Sequence, residues 1–228
     1  MALTRSRGNM YKWINYHFNV IKGRCQHECP YCFVKSSARF KNYTQPCFLD
    51  ENELKTNLGK SRVIFIGSKT DMWGEWVPKE WIVDVLERCA AYPENEYVFQ
   101  SKNPGRFSEF VFTRVARTLL GTTIETDRYP EGFQTKAPPI EERVGAMINL
   151  YPMGRFVTIE PIMDFNLPNL LRIIEMIKPE FVTIGSDSKG HDLVEPDAIK
   201  ILRLIDGLIE MKVEIRQKSN LERLLNKK

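Results

Sequence analysis

Six short apolar runs, separated by helix-like segments, are the feature that most restricts how this chain can fold. The runs are rich in Val, Ile, Phe and Thr and lack the polar alternation of a half-exposed strand, so they are typical of strands buried on both faces of a parallel sheet. A short seventh strand is predicted at Val213–Ile215. The six main strands are predicted at Phe18–Ile21, Arg62–Gly67, Tyr97–Ser101, Thr122–Glu125, Phe156–Glu160 and Phe181–Gly185.

Between these runs, apolar residues recur at helical spacing and follow recognisable helix-start signals. The predicted starts are Asp50, Pro78, Pro138-Pro139, Asn166 and Pro196. This alternation predicts an α/β fold, a partial (βα)6 barrel with parallel strands, outer helices and a cluster loop after the first strand. A complete eight-unit barrel usually takes about 250 residues, more than the 228 present here. A flat doubly wound sheet is the alternative.

We expect one domain over residues 1–228, with an N-terminal extension over residues 1–16 and a short strand and helix over residues 211–228. The hydrophobic fraction of 43% can support a core, which argues against disorder. The longest aliphatic or aromatic run is Val63–Ile66, far too short for a membrane span. The first residues lack the apolar stretch of a secretion signal, so we expect a cytoplasmic protein, with a monomer as the default.

Three of the five cysteines fall in the segment Cys25-Gln26-His27-Glu28-Cys29-Pro30-Tyr31-Cys32. Thiolates are soft ligands that select iron–sulfur clusters, zinc or copper(I), and a structural zinc site usually draws on two separated ligand pairs. With one close trio, the spacing favours a four-iron cluster that keeps one iron free of protein ligands. Cys47 or His27 as a fourth ligand is the alternative. Cys89 falls on the apolar face of a predicted helix and is expected in the core.

Positive charge is concentrated near the cysteines. Residues 1–41 hold eight Lys and Arg against one acidic residue, a net charge of +7, although the whole chain carries only +4. Such a segment is either an ordinary solvated surface or a basic face for a nucleic-acid backbone or an acidic electron-donor protein.

The C-x3-C-x-aromatic-C array after a first strand resembles the cluster motif of the radical S-adenosylmethionine (SAM) superfamily, matched at Cys25, Cys29 and Cys32 with Tyr31 at the aromatic position. More narrowly, the chain resembles small relatives of spore photoproduct lyase found in phages and microbes. The segments that carry this narrower resemblance are Phe65-Ile66-Gly67-Ser68-Lys69-Thr70-Asp71-Met72, Phe99-Gln100-Ser101-Lys102-Asn103-Pro104 and Thr158-Ile159-Glu160-Pro161-Ile162-Met163-Asp164.

The resemblance implies a [4Fe-4S] cluster whose open iron binds SAM, and reductive cleavage of SAM to methionine and a 5′-deoxyadenosyl radical that takes hydrogen from a substrate. It also implies a one-electron donor such as a flavodoxin or ferredoxin. Many members of the superfamily carry Gly-Gly-Glu after the second strand, whereas this chain has Gly67-Ser68-Lys69. In the lyase-like branch, Ser68 and Lys102 match positions that bind the amino-acid part of SAM, and Tyr31 would pack on the adenine or shield the cluster.

Further candidates follow from position alone, because chemistry in parallel barrels takes place at the carboxyl ends of the strands. Glu125 is placed to bind ribose hydroxyls, and Glu160 and His191 are the candidates for direct catalytic roles. A carboxylate ending a buried strand, such as Glu160, needs a cationic partner or a ligand. Trp73 and Trp76 either pack in the core or form a stacking platform for a base at the barrel mouth.

Two functions of different classes are consistent with these features. The first is a radical SAM enzyme that acts on a nucleic acid or another nucleobase-containing compound, with a peptide or small metabolite as the alternative substrate. The second is a non-catalytic iron–sulfur or zinc module that binds nucleic acid through the basic segment. No P-loop, nucleophile elbow or H-E-x-x-H motif occurs in the sequence.

Overall fold

The computed structural model describes residues 3–37, 40, 44–115, 117–150 and 152–226. Its main element is one eight-stranded sheet with the spatial order β1-β2-β5-β6-β7-β8-β9-β10, and a two-stranded ribbon of β3 and β4 lies outside it. The strands are β1 (Thr4–Arg5), β2 (Tyr16–Phe18), β3 (Ile21–Lys22), β4 (Phe48–Leu49), β5 (Val63–Ile66), β6 (Glu96–Ser101), β7 (Thr118–Thr123), β8 (Gly154–Ile159), β9 (Phe181–Ile184) and β10 (Glu214–Gln217).

The sheet is parallel from β2 to β10, and only the edge pair β1–β2 is antiparallel. Within the described ranges β1 and β10 do not pair with each other, so the sheet stays open. The α/β class and the partial-barrel architecture with parallel strands are confirmed. The carboxyl ends of all the parallel strands therefore lie along one edge, where the candidate side chains were expected.

The described residues form six α-helices. Asp50, Asn166 and Asp197 cap three of them by accepting hydrogen bonds from backbone N–H groups of the first turn. The helices are α1 (Glu51–Leu54), α2 (Lys79–Ala90), α3 (Ile140–Asn149), α4 (Leu167–Ile177), α5 (Ala198–Glu210) and α6 (Glu222–Leu225), and none of them has both the length and the apolar character needed to cross a membrane.

The two faces of the sheet bury different partners. One face packs against the helices in a large apolar core. The other face encloses the segment before β2, where Tyr11 and Ile14 pack with residues of the strands such as Phe65, Phe156 and Phe181. Because both faces are covered, the strands have no exposed polar side, which explains their unbroken apolar sequence.

Two strands differ most from their predicted bounds. The first predicted strand, Phe18–Ile21, divides into β2 and β3, because Ile21 and Lys22 pair with β4 instead of continuing the sheet. β7 begins at Thr118, four residues before its predicted start, and ends at Thr123. The start of this strand was missed because Gly121 is an unusual residue in a strand interior. In the structure, a side chain at this position would collide with the ring of Phe156.

Candidate cofactor site at the carboxyl ends of the strands

The three clustered cysteines lie on a loop between β3 and β4. At its start Gly23 has a φ of +100°, and a side chain there would collide with the backbone of Pro46. The next residue, Arg24, donates its backbone N–H to the carbonyl of Gln45 at 2.7 Å. The loop therefore begins in a geometry that favours glycine and lies directly against residues 45 and 46.

The other side of this cysteine loop is held by the segment after β7. The carbonyl of His27 accepts hydrogen bonds from the backbone N–H of Lys136 at 2.7 Å and from the hydroxyl of Thr135 at 2.9 Å. The Thr135 hydroxyl also lies 3.9 Å from the sulfur of Cys29. Contacts on two sides therefore fix the loop before any cofactor binds.

Of the three thiols, that of Cys29 is buried and those of Cys25 and Cys32 are partly buried. Burial raises the pKa of Cys25 to about 12, with the charges of Asp71 and Cys29 adding to the effect, and burial also raises the pKa of Cys29. Hydrogen bonding to the backbone of His27 and Asp71 acts in the opposite direction and lowers the pKa of Cys25. Hydrogen bonds of this kind stabilise a metal-bound thiolate, so the loop fits a metal cluster.

Across the described residues, no three His, Cys, Asp or Glu side chains are close enough to hold one metal ion. In a four-iron cluster each cysteine binds a different iron. Cys25, Cys29 and Cys32 stay the predicted ligands of such a cluster.

The surroundings of the two other cysteines and of His27 differ from one another. Cys89 is completely buried in α2, as expected for a core residue, and Cys47 packs against the same apolar core. His27 places its Nε2 2.8 Å from a carboxylate oxygen of Asp71, and its ring stands edge-on to Trp76. Its buried Nδ1 has no hydrogen-bond partner in the described part of the chain.

Three of the predicted SAM-binding residues, Tyr31, Lys102 and Glu125, are in mutual contact. The Lys102 ammonium and the Tyr31 hydroxyl both donate hydrogen bonds to one oxygen of Glu125. The Lys102 ammonium also contacts the Tyr31 hydroxyl and lies 5.0 Å from the centre of the Tyr31 ring. The structure thus brings the aromatic residue of the cysteine loop together with the ends of β6 and β7.

A second cation reaches Glu125 from the helix side. Arg143 of α3 is fully buried and donates to the other oxygen of Glu125 at 3.0 Å, where the Tyr129 hydroxyl also donates at 3.0 Å. Arg143 further donates to the backbone carbonyls of Thr123 at 2.9 Å and Pro138 at 2.7 Å. Burial acts to raise the pKa of Glu125, but the charges of Lys102 and Arg143 outweigh it and hold that pKa at about 2. Glu125 is therefore an anion shared by two cations.

Aromatic rings form one wall of this region. The ring of Phe133 stacks on Tyr129 with 4.4 Å between centroids and lies 6.2 Å from Tyr31, nearly parallel to it. These rings, together with the ion pairs, leave Glu125 with no exposed surface and the Lys102 side chain 14% exposed. Lys102 is therefore the member of the ion network that a ligand at the strand ends can reach.

The carboxylate of Asp71 contacts four hydrogen-bonding groups at this edge. It contacts His27, the Ser101 hydroxyl at 2.9 Å and the backbone N–H groups of Lys102 at 2.9 Å and Trp73 at 3.0 Å. Burial acts to raise its pKa, but His27 and these N–H donors hold that pKa below its ordinary value.

Ser68 lies apart from the Lys102–Glu125 pair. Its hydroxyl donates to the side-chain oxygen of Asn19 at 3.1 Å, at the ends of the neighbouring strands β2 and β5. The predicted binding residues thus form one contiguous group of three, with Ser68 at a separate position along the same edge.

Glu160 follows β8 directly and has the cationic partner expected from the sequence. Lys218 Nζ lies 2.7 Å from one carboxylate oxygen, and the side-chain amides of Asn9 and Asn220 donate to the other at 3.1 and 3.3 Å. A side chain at Gly185, on the neighbouring strand end, would collide with this carboxylate. These contacts form a second polar group on the same edge, farther along the sheet.

His191 forms a hydrogen-bonded chain with two residues. Its Nδ1 lies 2.7 Å from Oδ1 of Asp187. Its Nε2 lies 2.7 Å from the hydroxyl of Ser36, which follows Cys32 in the cysteine loop. The Asp187 carboxylate fixes the orientation of the imidazole, because it also accepts the backbone N–H of His191. His191 therefore connects the loop after β9 to the end of the cysteine loop.

Of the two roles predicted for Trp73 and Trp76, the structure shows core packing and not a stacking platform. Trp73 is completely buried among the rings of Phe99, Phe107 and Phe110, and Trp76 packs partly buried against the core and the His27 ring. Trp73 therefore cannot offer its face to a base. Two large apolar rings in a polar loop gain more from core burial than from exposure at the mouth.

Sequence reasoning missed Arg143, Tyr129 and Asn9 as parts of these groups. Arg143 follows Ile140 by three residues and so lies on the buried face of α3. A charged residue on an apolar helical face was the available signal, because such a side chain needs a buried partner. No comparable pattern marks Tyr129 or Asn9.

With this geometry established, comparison with known proteins gives two results. The sequence model of the family described as "Protein of unknown function (DUF5131)" matches residues 9–197. None of the curated proteins matches the chain.

Several solved structures of spore photoproduct lyase share the fold. A mutant of that enzyme with bound AdoMet and dinucleoside spore photoproduct is 12% identical, with a TM-score of 0.58 over 92% of this chain and 66% of that one. A single-site mutant is 12% identical, with a TM-score of 0.64 over 94% of this chain and 80% of that one. The enzyme complexed with dinucleoside spore photoproduct is 13% identical, with a TM-score of 0.56 over 90% and 65%. The chain thus spans just under two thirds of the ligand-bound structures.

Proposed function

The chain belongs to the family described as "Protein of unknown function (DUF5131)", and we propose that it is a radical SAM enzyme with a [4Fe-4S] cluster on Cys25, Cys29 and Cys32. The observation that carries the proposal is the meeting of this cysteine loop with the buried group Tyr31–Lys102–Glu125 at the strand ends of an open parallel barrel. The fold shared with spore photoproduct lyase, a radical SAM enzyme, supports the proposal.

The cluster with bound SAM would supply one-electron cleavage of the sulfonium and a 5′-deoxyadenosyl radical that abstracts hydrogen from the substrate. The residues of the protein would bind the cluster and SAM and shield them from solvent. Cys25, Cys29 and Cys32 would ligate three irons, and hydrogen bonding to the backbone of His27 and Asp71, which lowers the pKa of Cys25, would stabilise its thiolate.

Lys102 is assigned to the carboxylate of SAM. Its ammonium is partly exposed, contacts the cysteine loop through Tyr31 and shares Glu125 with Arg143. Since Arg143 also stabilises the charge of Glu125, Lys102 can shift toward a ligand carboxylate without leaving Glu125 unpaired. Ser68 is assigned to the SAM ammonium and Tyr31 to the adenine or to shielding the cluster. The ribose role predicted for Glu125 does not fit a fully buried carboxylate with both oxygens paired, so Glu125 is assigned to holding Lys102.

The proposed substrate is a nucleic acid or another nucleobase-containing compound. The net charge of +7 over residues 1–41 supports it, because this segment contains the cysteine loop and would attract phosphates. The dinucleoside bound by the structural neighbour supports it as well. Glu160 and His191, at the ends of β8 and β9, are the proposed substrate-contacting residues. A cytoplasmic location and an electron donor of the flavodoxin or ferredoxin type complete the proposal.

The decisive experiment is anaerobic reconstitution with iron and sulfide, reduction with dithionite, and measurement of 5′-deoxyadenosine after addition of SAM. We expect about four irons per chain and formation of 5′-deoxyadenosine in the wild type. Cys29→Ala should lose both, whereas the matched variant Cys89→Ala, at a buried cysteine in α2, should keep them.

A fully loaded, reduced wild type that forms no 5′-deoxyadenosine would end the enzyme proposal. Loss of the cluster in Cys47→Ala would instead indicate a cluster closed by four cysteines. Together with salt-sensitive binding of nucleic acid, that result would favour a non-catalytic binding module.

A further inference from the structure

One buried carboxylate joins the cysteine loop to the ends of two strands. Asp71 lies in the segment after β5, with its side chain 10% exposed. Its oxygens lie 2.8 Å from Nε2 of His27 and 2.9 Å from the hydroxyl of Ser101, and they accept the N–H groups of Lys102 and Trp73. The four groups come from three segments that are separate in the sequence.

The backbone of Asp71 makes a further contact. Hydrogen bonding to the Asp71 backbone lowers the pKa of Cys25, so the main chain of this residue acts on one proposed cluster ligand. Through its carboxylate it holds the backbone of Lys102, the proposed ligand of the SAM carboxylate. We infer that Asp71 is a positioning residue that fixes Lys102 relative to the cysteine loop, so that SAM bound at the cluster meets the ammonium; this inference rests on the proposed function.

The chemistry of the contacts supports a carboxylate at this position. A carboxylate only accepts hydrogen bonds, and here it faces donors on both oxygens. An asparagine would keep one acceptor oxygen and turn an amide N–H toward one of these groups. Because the site is nearly closed to water, the mismatch would be relieved by displacement of Lys102 or His27 and not by solvent.

The test compares Asp71→Asn with wild type after equal reconstitution. We expect Asp71→Asn to hold iron as the wild type does, because all three cysteines remain. Its KM for SAM should rise by about tenfold, equivalent to about 1.4 kcal/mol, with little change in kcat, as for lost ground-state binding. The change that SAM causes in the electron paramagnetic resonance signal of the reduced cluster should shift to correspondingly higher SAM concentrations.

Asp127→Asn is the matched control. Asp127 follows β7 on the same edge with its side chain 4% exposed, but it binds the backbone N–H of Asn166 at 2.6 Å and the amide of Asn169 at 3.2 Å, at the start of α4. Its loss should lower stability without moving the KM for SAM or the spectroscopic titration.

Equal KM values and equal titrations for Asp71→Asn and Asp127→Asn would overturn the inference. If Asp71→Asn does not fold, Ser101→Ala removes one hydrogen bond from the same carboxylate and should raise KM in the same direction; an unchanged KM there would overturn it equally. A wild type that holds no cluster or cleaves no SAM would overturn the proposed function itself, a result distinct from either.

Discussion

Glu125 keeps its charge where water does not reach, and two cations make this possible. Lys102 approaches one oxygen and Arg143 the other, while the hydroxyls of Tyr31 and Tyr129 complete the hydrogen bonds. A buried ion group of this kind is stable only while it is complete. If one member is removed, the remaining charges have neither a partner nor a shell of water. The stability of the site should therefore depend steeply on this one residue.

Glu125→Gln should lower the free energy of unfolding by about 3 to 5 kcal/mol, because it leaves the buried Arg143 and the largely buried Lys102 without an anion. Chemical denaturation followed by circular dichroism measures the change. The control Glu214→Gln removes a carboxylate that is 59% exposed and paired with Arg216, and it should cost less than about 1 kcal/mol. Equal losses in the two variants would contradict the account of Glu125.

The same carboxyl predicts a pH dependence. Its pKa is lowered from 4.5 to about 2 in the folded chain, so its contribution is complete above pH 4.5 and is lost as the pH falls from 4.5 through 2. The wild type should therefore lose stability over this range more steeply than Glu125→Gln. Parallel curves of unfolding free energy against pH for the two proteins would refute the assignment.

At the scale of elements, strands β7 and β8 fit together around a missing side chain. Gly121 of β7 faces the ring of Phe156 of β8, and a methyl group there would overlap the ring. Glu125 follows the carboxyl end of β7, and Glu160 follows the carboxyl end of β8. The spacing of the two strands thus determines how the two polar groups of the edge lie relative to each other.

Gly121→Ala should destabilise the protein by about 1 to 3 kcal/mol, because the methyl group overpacks this contact. Gly145→Ala is the matched control in α3, where nothing lies within 4 Å of the added carbon, and it should stabilise the protein by up to about 1 kcal/mol through helix propensity. Thermal and urea denaturation of both variants test the opposite signs.

Predictability from sequence follows the range of the interactions. Buried strands and helix caps such as Asn166 can be predicted from local sequence patterns. Those patterns were enough to predict that Lys102 and Glu125 lie at one edge of the sheet. Arg143 meets Glu125 only because α3 packs beside β7, and residues 27 and 71 meet across a loop. Contacts of this second kind depend on loop paths that no periodicity encodes, so the pairing of the site residues needed coordinates.

For the whole molecule, charge is distributed unevenly along the chain, with the excess in the part that contains the cysteine loop. A nucleic acid should therefore bind with an affinity that decreases with salt, by roughly ten- to a hundredfold between 50 and 200 mM for a few phosphate contacts. Arg7→Glu with Lys12→Glu should weaken binding of a fluorescent oligonucleotide, measured by anisotropy.

The control for that experiment is Arg172→Glu with Lys178→Glu, which reverses two charges at α4, outside the basic segment. It makes the same change in net charge and should leave most of the affinity intact. Equal weakening by both pairs would show that only overall charge matters and that no basic face exists.

The open sheet has a mechanical consequence. In the described chain its two margins are joined by side chains and not by backbone ladders: Asn9 reaches Ser188 at 2.8 Å, and the guanidinium of Arg216 lies 4.9 Å from the centre of the Trp13 ring. Separating these contacts would break no strand pairing, but it would expose the rings of the segment before β2, such as Tyr11 and Trp13, that pack against the strands. The side chains of that segment therefore hold the two margins of the sheet together.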